Sequence, residues 1–452
     1  MRPDAERDLR DRREAVLGGT YRLFYDEPVE VARAEGVRIV DADGAELIDA
    51  YNNVPVIGHS DSEVAAAVGA ELLRANAHTR YLDPGVVDYA EALLARLPDH
   101  LDRIAFTCSG SEANDLALQL ARHATGGTGV IVTEHAYHGT TSAVREVSPS
   151  LVGLDGVAEH VVAVPLGSSR SGEARAAEFA AGVERALVQL RMRGHRPAAL
   201  LLDTALTSDG IHAPAGFIAA GVGLAQAHGA LFIADEVQAG FCRTGRWWGF
   251  EHVEVRPDLV TLGKPMGNGL PIAAVVGPAE RFDDFGREFR YFNTFAGTAA
   301  PIAAARVVLD RLEYWDGPTR VEALGARLRA GLERVLADAG VAAEVRGAGL
   351  MLGVDLDPDG ADPVRAEALA GRLVNGLRRR GVLVSSTGAH GEALKIRPPL
   401  SIGEAELDLV VERLADALDE LVGAGGGAER AATASGPMPE DGGADGAPGA
   451  GA

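Results

Sequence analysis

The sequence predicts an α/β protein: a large domain with a mostly parallel sheet covered by helices, and a smaller α+β domain beside it. Between about residues 60 and 291, short near-continuous apolar runs alternate with amphipathic helical patterns, as strands buried on both faces and joined by crossover helices require. After about residue 298 the texture changes to long helical stretches around a few short strands. The chain has 452 residues, 47% of them hydrophobic, which is enough material for a core of that size.

The elements follow in order. Val37–Asp41 and Glu46–Asp49 flank Ala42-Asp43-Gly44-Ala45, a hairpin with an Asp-Gly turn signal, expected to lie against the smaller domain. Strands are expected at Ile104–Thr107, Val130–Thr133, Val161–Val164, Ala199–Asp203, Leu231–Ala234, Leu259–Leu262 and Ile272–Val276. Helical periodicity covers Glu112–Arg122, Ala174–Arg193 and Phe217–His228. In the second half, helices are expected at Ala299–Leu312, Arg320–Ala339, Asp362–Arg380 and Gly403–Val422, with strands near Leu350–Val354 and Ala393–Ile396. This divides the chain into an N-terminal segment (1–57) packing with the small domain, a large domain (58–298), the small domain (299–422) and a Gly/Ala/Pro-rich tail (423–452) read as disordered. No internal repeat is visible.

Composition excludes several classes. With 43 basic against 65 acidic residues the net charge is −22, which would repel a phosphate backbone, so nucleic acid is not an expected partner. The two cysteines, Cys108 and Cys242, lie far apart, so no disulfide framework is expected, and no metal site is expected. The start is hydrophilic and mixed in charge, and no long apolar run suggests a membrane span; a cytoplasmic protein is the expectation. Only two of the 43 basic residues are lysine, Lys264 and Lys395. In a chain that otherwise avoids lysine, each invites a reason.

Three strand ends carry chemistry. Thr107-Cys108-Ser109-Gly110-Ser111-Glu112 is a small-residue turn opening a helix, where free N–H groups and the helix dipole suit a phosphate. Ser109 and Glu112 also have the spacing of a plain capping box. Phe232-Ile233-Ala234-Asp235-Glu236 delivers acids at the end of an apolar strand. A magnesium-nucleotide reading fails, because Gly263-Lys264-Pro265 has proline where a metal-binding hydroxyl belongs and Asp258 where a P-loop needs its first glycine. Lys264 itself follows a buried strand in a glycine-rich turn, where desolvation favours the neutral amine that can form a Schiff base with an aldehyde. A phosphate cradle, an acid at a strand tip and a desolvated lysine are together what pyridoxal 5′-phosphate (PLP) needs.

These segments resemble the class III aminotransferases, a fold-type-I PLP-dependent transferase family, over roughly residues 20 to 423. The matching stretches are SGSEANDLALQLAR (109–122), HAYHG (135–139), FIADEVQAGFCRTG (232–245), LVTLGKPMGNGLPIA (259–273), FNTFAG (292–297) and LKIRPPL (394–400). Tyr51-Asn52-Asn53-Val54, Gly58-His59 and the GKPMGNG loop are similar to the branch holding ethanolamine-phosphate phospho-lyase and the mitochondrial type of alanine–glyoxylate aminotransferase. The resemblance implies that Lys264 is the Schiff-base and proton-shuttling residue and that Asp235 pairs with the pyridine nitrogen. It places Val237 under the ring, Gln238 near the phenolic oxygen, Tyr137 on the opposite face with His138 following, and Ser109, Gly110 and Ser111 at the phosphate. Thr294 would reach the phosphate of a neighbouring subunit's cofactor, implying a homodimer.

Departures concern the substrate side, where Asn53, Asp203, Lys395 and Arg397 are the candidates. Lys395 stands where most of the family has a carboxylate-binding arginine, and lysine is a poorer fork for a carboxylate. Arg397, two residues on, is a possible substitute, and Asp203, shorter than the usual glutamate, could pair with Lys395. Gly297-Thr298-Ala299 replaces the usual Gly-Asn-Pro. The implied activity is an aminotransferase acting on an amine or amino acid donor and a keto or aldehyde acceptor. The alternatives are a phospho-lyase acting on a phosphorylated amine, or an epimerase or amino-sugar-modifying enzyme.

Overall fold

The computed structural model describes residues 3–167, 172–212, 216–253 and 255–433. At the N-terminal end, β1 (Val31–Glu35), β2 (Arg38–Asp41) and β3 (Glu46–Asp49) form an antiparallel meander, with Gly44 at φ +85° closing the expected hairpin turn. A short strand far down the chain, residues 382–383, adds to β3 in parallel.

The large sheet has seven strands: β4 (Arg103–Thr107), β5 (Gly129–Thr133), β6 (Val161–Val164), β7 (Pro197–Asp203), β8 (Leu231–Asp235), β9 (Leu259–Leu262) and β10 (Ala273–Gly277). Their spatial order is β4-β10-β9-β8-β7-β5-β6, and β10 alone runs against the others. Strands β5, β7, β8, β9 and β10 are buried at every residue. Pleating then assigns alternate residues to opposite faces. Val130, Val132, Ala199, Leu201 and Ile233 meet the helix Gly110–Thr125 through Ala113, Leu116, Ala117 and Leu120. Ile131, Leu200, Leu202, Phe232 and Ala234 face the other way, toward Phe179, Val183, Leu187 and Val222 of the helices Gly172–Met192 and Ala219–Ala227.

The third sheet is antiparallel, β11 (Glu344–Ala348), β12 (Met351–Asp355), β14 (Ser385–Thr387) and β15 (Ala393–Ile396), in the order β11-β12-β15-β14; residues 382–383 are β13. It carries Lys395 on its second-last strand, opposite Gly353 and Ser385. The chain just beyond β15 is tied to the N-terminal segment: Arg397 N–H donates to Ala50 O at 2.8 Å and Leu400 N–H to Val56 O at 2.7 Å.

Several elements fall outside the sequence-based expectations. The helix Ser62–Arg74 buries only Val64 of its Val64, Val68 and Leu72 positions, and its start is marked by a cap: Asp61 accepts from the N–H groups of Glu63 and Val64. The helix Pro84–Leu94 begins behind Asp83 with proline in its first turn. The last helix is Glu404–Thr433, so residues 423–433, which the sequence assigns to a disordered tail, are helical despite four glycines among them. Residues 434–452 lie outside the described residues. Both cysteines are free, and among the described residues no helix is long and apolar enough to cross a membrane.

Candidate active site

The carboxyl ends of β4, β5, β7, β8 and β9 open on one side of the sheet, where an open parallel sheet collects its ligands. A cleft of about 190 Å³ lies there, lined by Gly110, Ser111, Tyr137, His138, Gly139, Asp203, Asp235, Val237, Gln238 and Lys264. A wider cleft of about 960 Å³ lies beyond the 203–212 turn, but Arg346 in its wall is already matched by Asp355 and Glu344.

Asp235 ends β8 and is buried, in register with Asp203 on β7 and Thr261 on β9. One carboxylate oxygen accepts the Val237 N–H at 3.0 Å. The other accepts Asn114 Nδ2 at 2.9 Å and His138 Nδ1 at 2.7 Å. A carboxylate only accepts, so Nδ1 of His138 carries the proton, and the buried Nε2 has no partner. Asn114 is held in turn: its second N–H reaches His138 O at 2.8 Å, and its Oδ1 accepts the Thr261 hydroxyl at 2.7 Å. Neither Asn114 nor Thr261 is among the residues read from the sequence. The available signal was a buried asparagine inside the apolar stripe of the Gly110–Thr125 helix, a position that demands a polar partner.

Lys264 lies two residues past β9 and lines the same cleft. Burial, and then the nearby Arg397 charge, lowers its pKa; Asp235 and Asp203 oppose that shift. The neutral amine is therefore more accessible here than in water. Tyr137 stands in the wall half-buried, its phenol pKa raised by burial and by Asp235.

At the other end of the cleft is the helix start. Ser109 is its N-cap, accepting the Glu112 N–H at 3.2 Å, and it does not line the cleft. Glu112 accepts the Cys108 N–H at 2.7 Å, one residue earlier than in a regular capping box. That leaves Gly110 and Ser111 as the cleft-facing part of the turn, with the Ser111 hydroxyl accepting from Thr140 N–H at 3.1 Å and keeping its own proton to donate. The space depends on missing side chains. A Cβ on Gly110 would come within 2.8 Å of Val237, and one on Gly139, at φ +139°, within 2.3 Å of Ser111 Oγ and 2.7 Å of its Cα. A helix N-terminus, a serine donor, a buried acid and a desolvated amine around one narrow cleft fit PLP. Gly139→Ala is expected to raise the dissociation constant for PLP by about tenfold or more, an overpacking cost read by titrating the apoenzyme with cofactor.

The substrate-side candidates surround Gln238. Asn53 Nδ2 donates to Gln238 O at 2.9 Å. The Gln238 side chain accepts from Arg397 through Oε1 and donates to the Thr207 hydroxyl through Nε2. Arg397 also lies over the Tyr51 ring at 4.6 Å. Asp203 does not pair with Lys395, as the sequence reading had it: its oxygens accept the N–H groups of Ala205 and Thr207, each at 3.0 Å, and the Thr207 hydroxyl. Lys395 Nζ has only the Thr207 carbonyl within reach among the described residues, at 3.5 Å. Burial drives its pKa well below the ordinary lysine value, with Arg397 adding to the effect. Thr294 is exposed and outside the cleft of its own chain.

The family model described as aminotransferase class-III matches residues 24–418. Among similar proteins, the alanine–glyoxylate aminotransferase 2-like protein of Drosophila melanogaster is 32% identical over 413 residues, covering 88% of this chain and 84% of that one. Ethanolamine-phosphate phospho-lyase homolog 1 of Caenorhabditis elegans is 32% identical over 424 residues, 88% of this chain and 91% of its own. A solved phospholyase from Arthrobacter, in complex with phosphoethanolamine, is 41% identical with a TM-score of 0.87, covering 91% of this chain and 99% of that one.

Proposed function

The chain belongs to the class-III aminotransferase family, as a PLP-dependent enzyme, and from that premise we propose that its amine donor carries an anionic group received by Lys395 and Arg397. The carrying observation is that these two basic side chains are 8% and 7% exposed and neither forms an ion pair among the described residues. Burial pushes the Lys395 amine toward its neutral form, and an incoming anion would draw a proton onto it beside the Arg397 guanidinium, so the pair fits a site completed by that anion.

Gly110 and Ser111 would hold the cofactor phosphate, Val237 and Tyr137 the ring, and Asp235 the ring nitrogen. Bound PLP supplies an aldehyde carbon and an electron-withdrawing ring. Asp235, which accepts from Asn114 and His138, would hold a proton on that nitrogen. Lys264 Nζ, released as a neutral amine, takes the proton from the substrate's α-carbon and returns it elsewhere. Lys395 and Arg397 orient the donor from its far end.

The subunit is proposed to work as a homodimer in the cytoplasm. Exposed Tyr291, Phe292 and Phe295 flank Thr294 in the chain, and exposed Tyr81 is joined to Phe292 through the His78 ring, an apolar area that a second copy would cover while bringing Thr294 to the neighbouring cleft.

A second reading, phosphate elimination, is favoured by the 41% identity to the Arthrobacter phospholyase and by lysine at position 395. In that case phosphoethanolamine and water give acetaldehyde, ammonia and inorganic phosphate. One experiment separates these outcomes. Holoenzyme without acceptor is mixed in turn with phosphoethanolamine, β-alanine and propylamine while the visible band and free phosphate are followed. Loss of the band with an anionic amine supports transamination, and phosphate release with the band retained supports elimination. Equal reaction with propylamine removes the anion requirement.

A further inference from the structure

The turn after β7 does more than lead the chain away from the sheet. Residues 203–212 carry two buried non-glycine residues in the left-handed region, Leu206 at φ +50° and the β-branched Ile211 at φ +60°. Such a conformation persists only where surrounding contacts over-determine it. Here those contacts converge on Thr207, which is buried. Its N–H and its hydroxyl both donate to the same oxygen of Asp203, while the other oxygen takes the Ala205 N–H. The hydroxyl has one proton, given to Asp203, so it accepts from Gln238 Nε2. That orientation leaves Gln238 Oε1 for Arg397, which can only donate. The Thr207 carbonyl accepts the Thr387 hydroxyl from β14 at 2.6 Å and is the group that Lys395 Nζ approaches.

Asp203 is close enough to act on the charge of Lys395, yet no hydrogen bond joins them. Three of its roughly four acceptor positions are filled within its own turn, two of them by Thr207. Without the Thr207 hydroxyl, one carboxylate oxygen would lose a donor, and Lys395 Nζ is the neighbouring donor available to replace it. We propose that Thr207 is a specificity-determining positioning residue: by occupying Asp203 it keeps Lys395 free for the anionic group of the substrate, and through Gln238 it aims Arg397 at the same place. This rests on the reading that Lys395 and Arg397 receive that anion.

The test uses holoenzyme of the wild type, Thr207→Val, Thr207→Ser and the double variant Thr207→Val with Asp203→Asn. Two quantities are measured: half-saturation of the visible spectral change with phosphoethanolamine and with propylamine, and the dissociation constant of inorganic phosphate by calorimetry. Thr207→Val is expected to weaken phosphoethanolamine relative to propylamine, and to weaken phosphate, by about tenfold or more. Thr207→Ser should keep the wild-type ratio, since it keeps the hydroxyl. Replacing Asp203 in the valine background should restore most of the lost ratio, because an amide no longer captures the ammonium. Should the valine variant fail to fold, Thr207→Ala carries the same expectations with less bulk. An unchanged ratio in the hydroxyl-free variants, or a loss that Asp203→Asn leaves in place, overturns the role of Thr207. A wild type that binds propylamine as well as phosphoethanolamine, and does not bind phosphate, instead overturns the anion site itself, and Thr207 with it.

Discussion

Lys264→Ala is expected to lower kcat by about 10⁴-fold or more, because one nitrogen supplies both the amine that joins the cofactor aldehyde and the base that moves the substrate proton. No other residue of the cleft offers a replacement. Lys395, the one other lysine in the chain, has its ammonium directed to the Thr207 carbonyl on the substrate side. Gly110 and Ser111, proposed to hold the cofactor phosphate, are untouched by the change, so the variant should still bind PLP. Borohydride reduction followed by denaturation distinguishes the two proteins: cofactor fluorescence stays with the wild-type chain and leaves the variant. Retention on the variant, or turnover within tenfold of wild type, would show that another amine performs the task.

Asp235→Asn is expected to cost about 10²–10³-fold in kcat, the scale of removing one preorganised electrostatic partner in a closed site. Hydrogen bonding explains why the amide is a poor substitute. Each oxygen of Asp235 already accepts a protein donor, Val237 N–H on one side and Asn114 and His138 on the other. An amide NH₂ therefore meets a donor wherever it points, and it brings no negative charge to keep a proton on the ring nitrogen. The measurement is kcat together with the pH dependence of the cofactor absorbance. A kcat within threefold of wild type, with an unaltered pH profile, would move the role elsewhere.

Much of this molecule is legible from its residues in order. The strands at 130–133, 199–203, 231–234 and 259–262 are short apolar runs because they are buried on both faces, and that constraint is written locally. The cofactor fixtures are legible for a related reason: each is a contiguous turn at the end of one such strand. The helix Ser62–Arg74 is less legible, since its four-residue repeat of Val64, Val68 and Leu72 is short and set among alanines, and only Val64 is buried. The tail boundary was placed too early because glycines obscured the helix that continues to Thr433.

Two side chains of the site show what distance decides. Ser109 carries two compatible roles in the sequence, N-cap and phosphate donor; its hydroxyl accepts the Glu112 N–H, keeps its own proton, and lies outside the cleft lining. Asp203, standing where the resembled family has a glutamate, suggests a partner for Lys395, whereas the group that captures the carboxylate stands four residues away at Thr207. A short Asp-Thr-Ala-Leu-Thr turn could have been read as self-capping.

By itself, then, the sequence determined the α/β class, the strand ends that present the chemistry, and the amine and acid proposed to serve the cofactor, because these depend on burial and turns within a few neighbouring residues. The tertiary structure alone decided which strand residue meets which helix, that Asn114 and Thr261 support Asp235, and that Lys395 and Arg397 are left without ion pairs beside the cleft. Those outcomes depend on distances between segments far apart in the chain, where a hydrogen bond gained or lost over a fraction of an ångström settles which partner a charge will have.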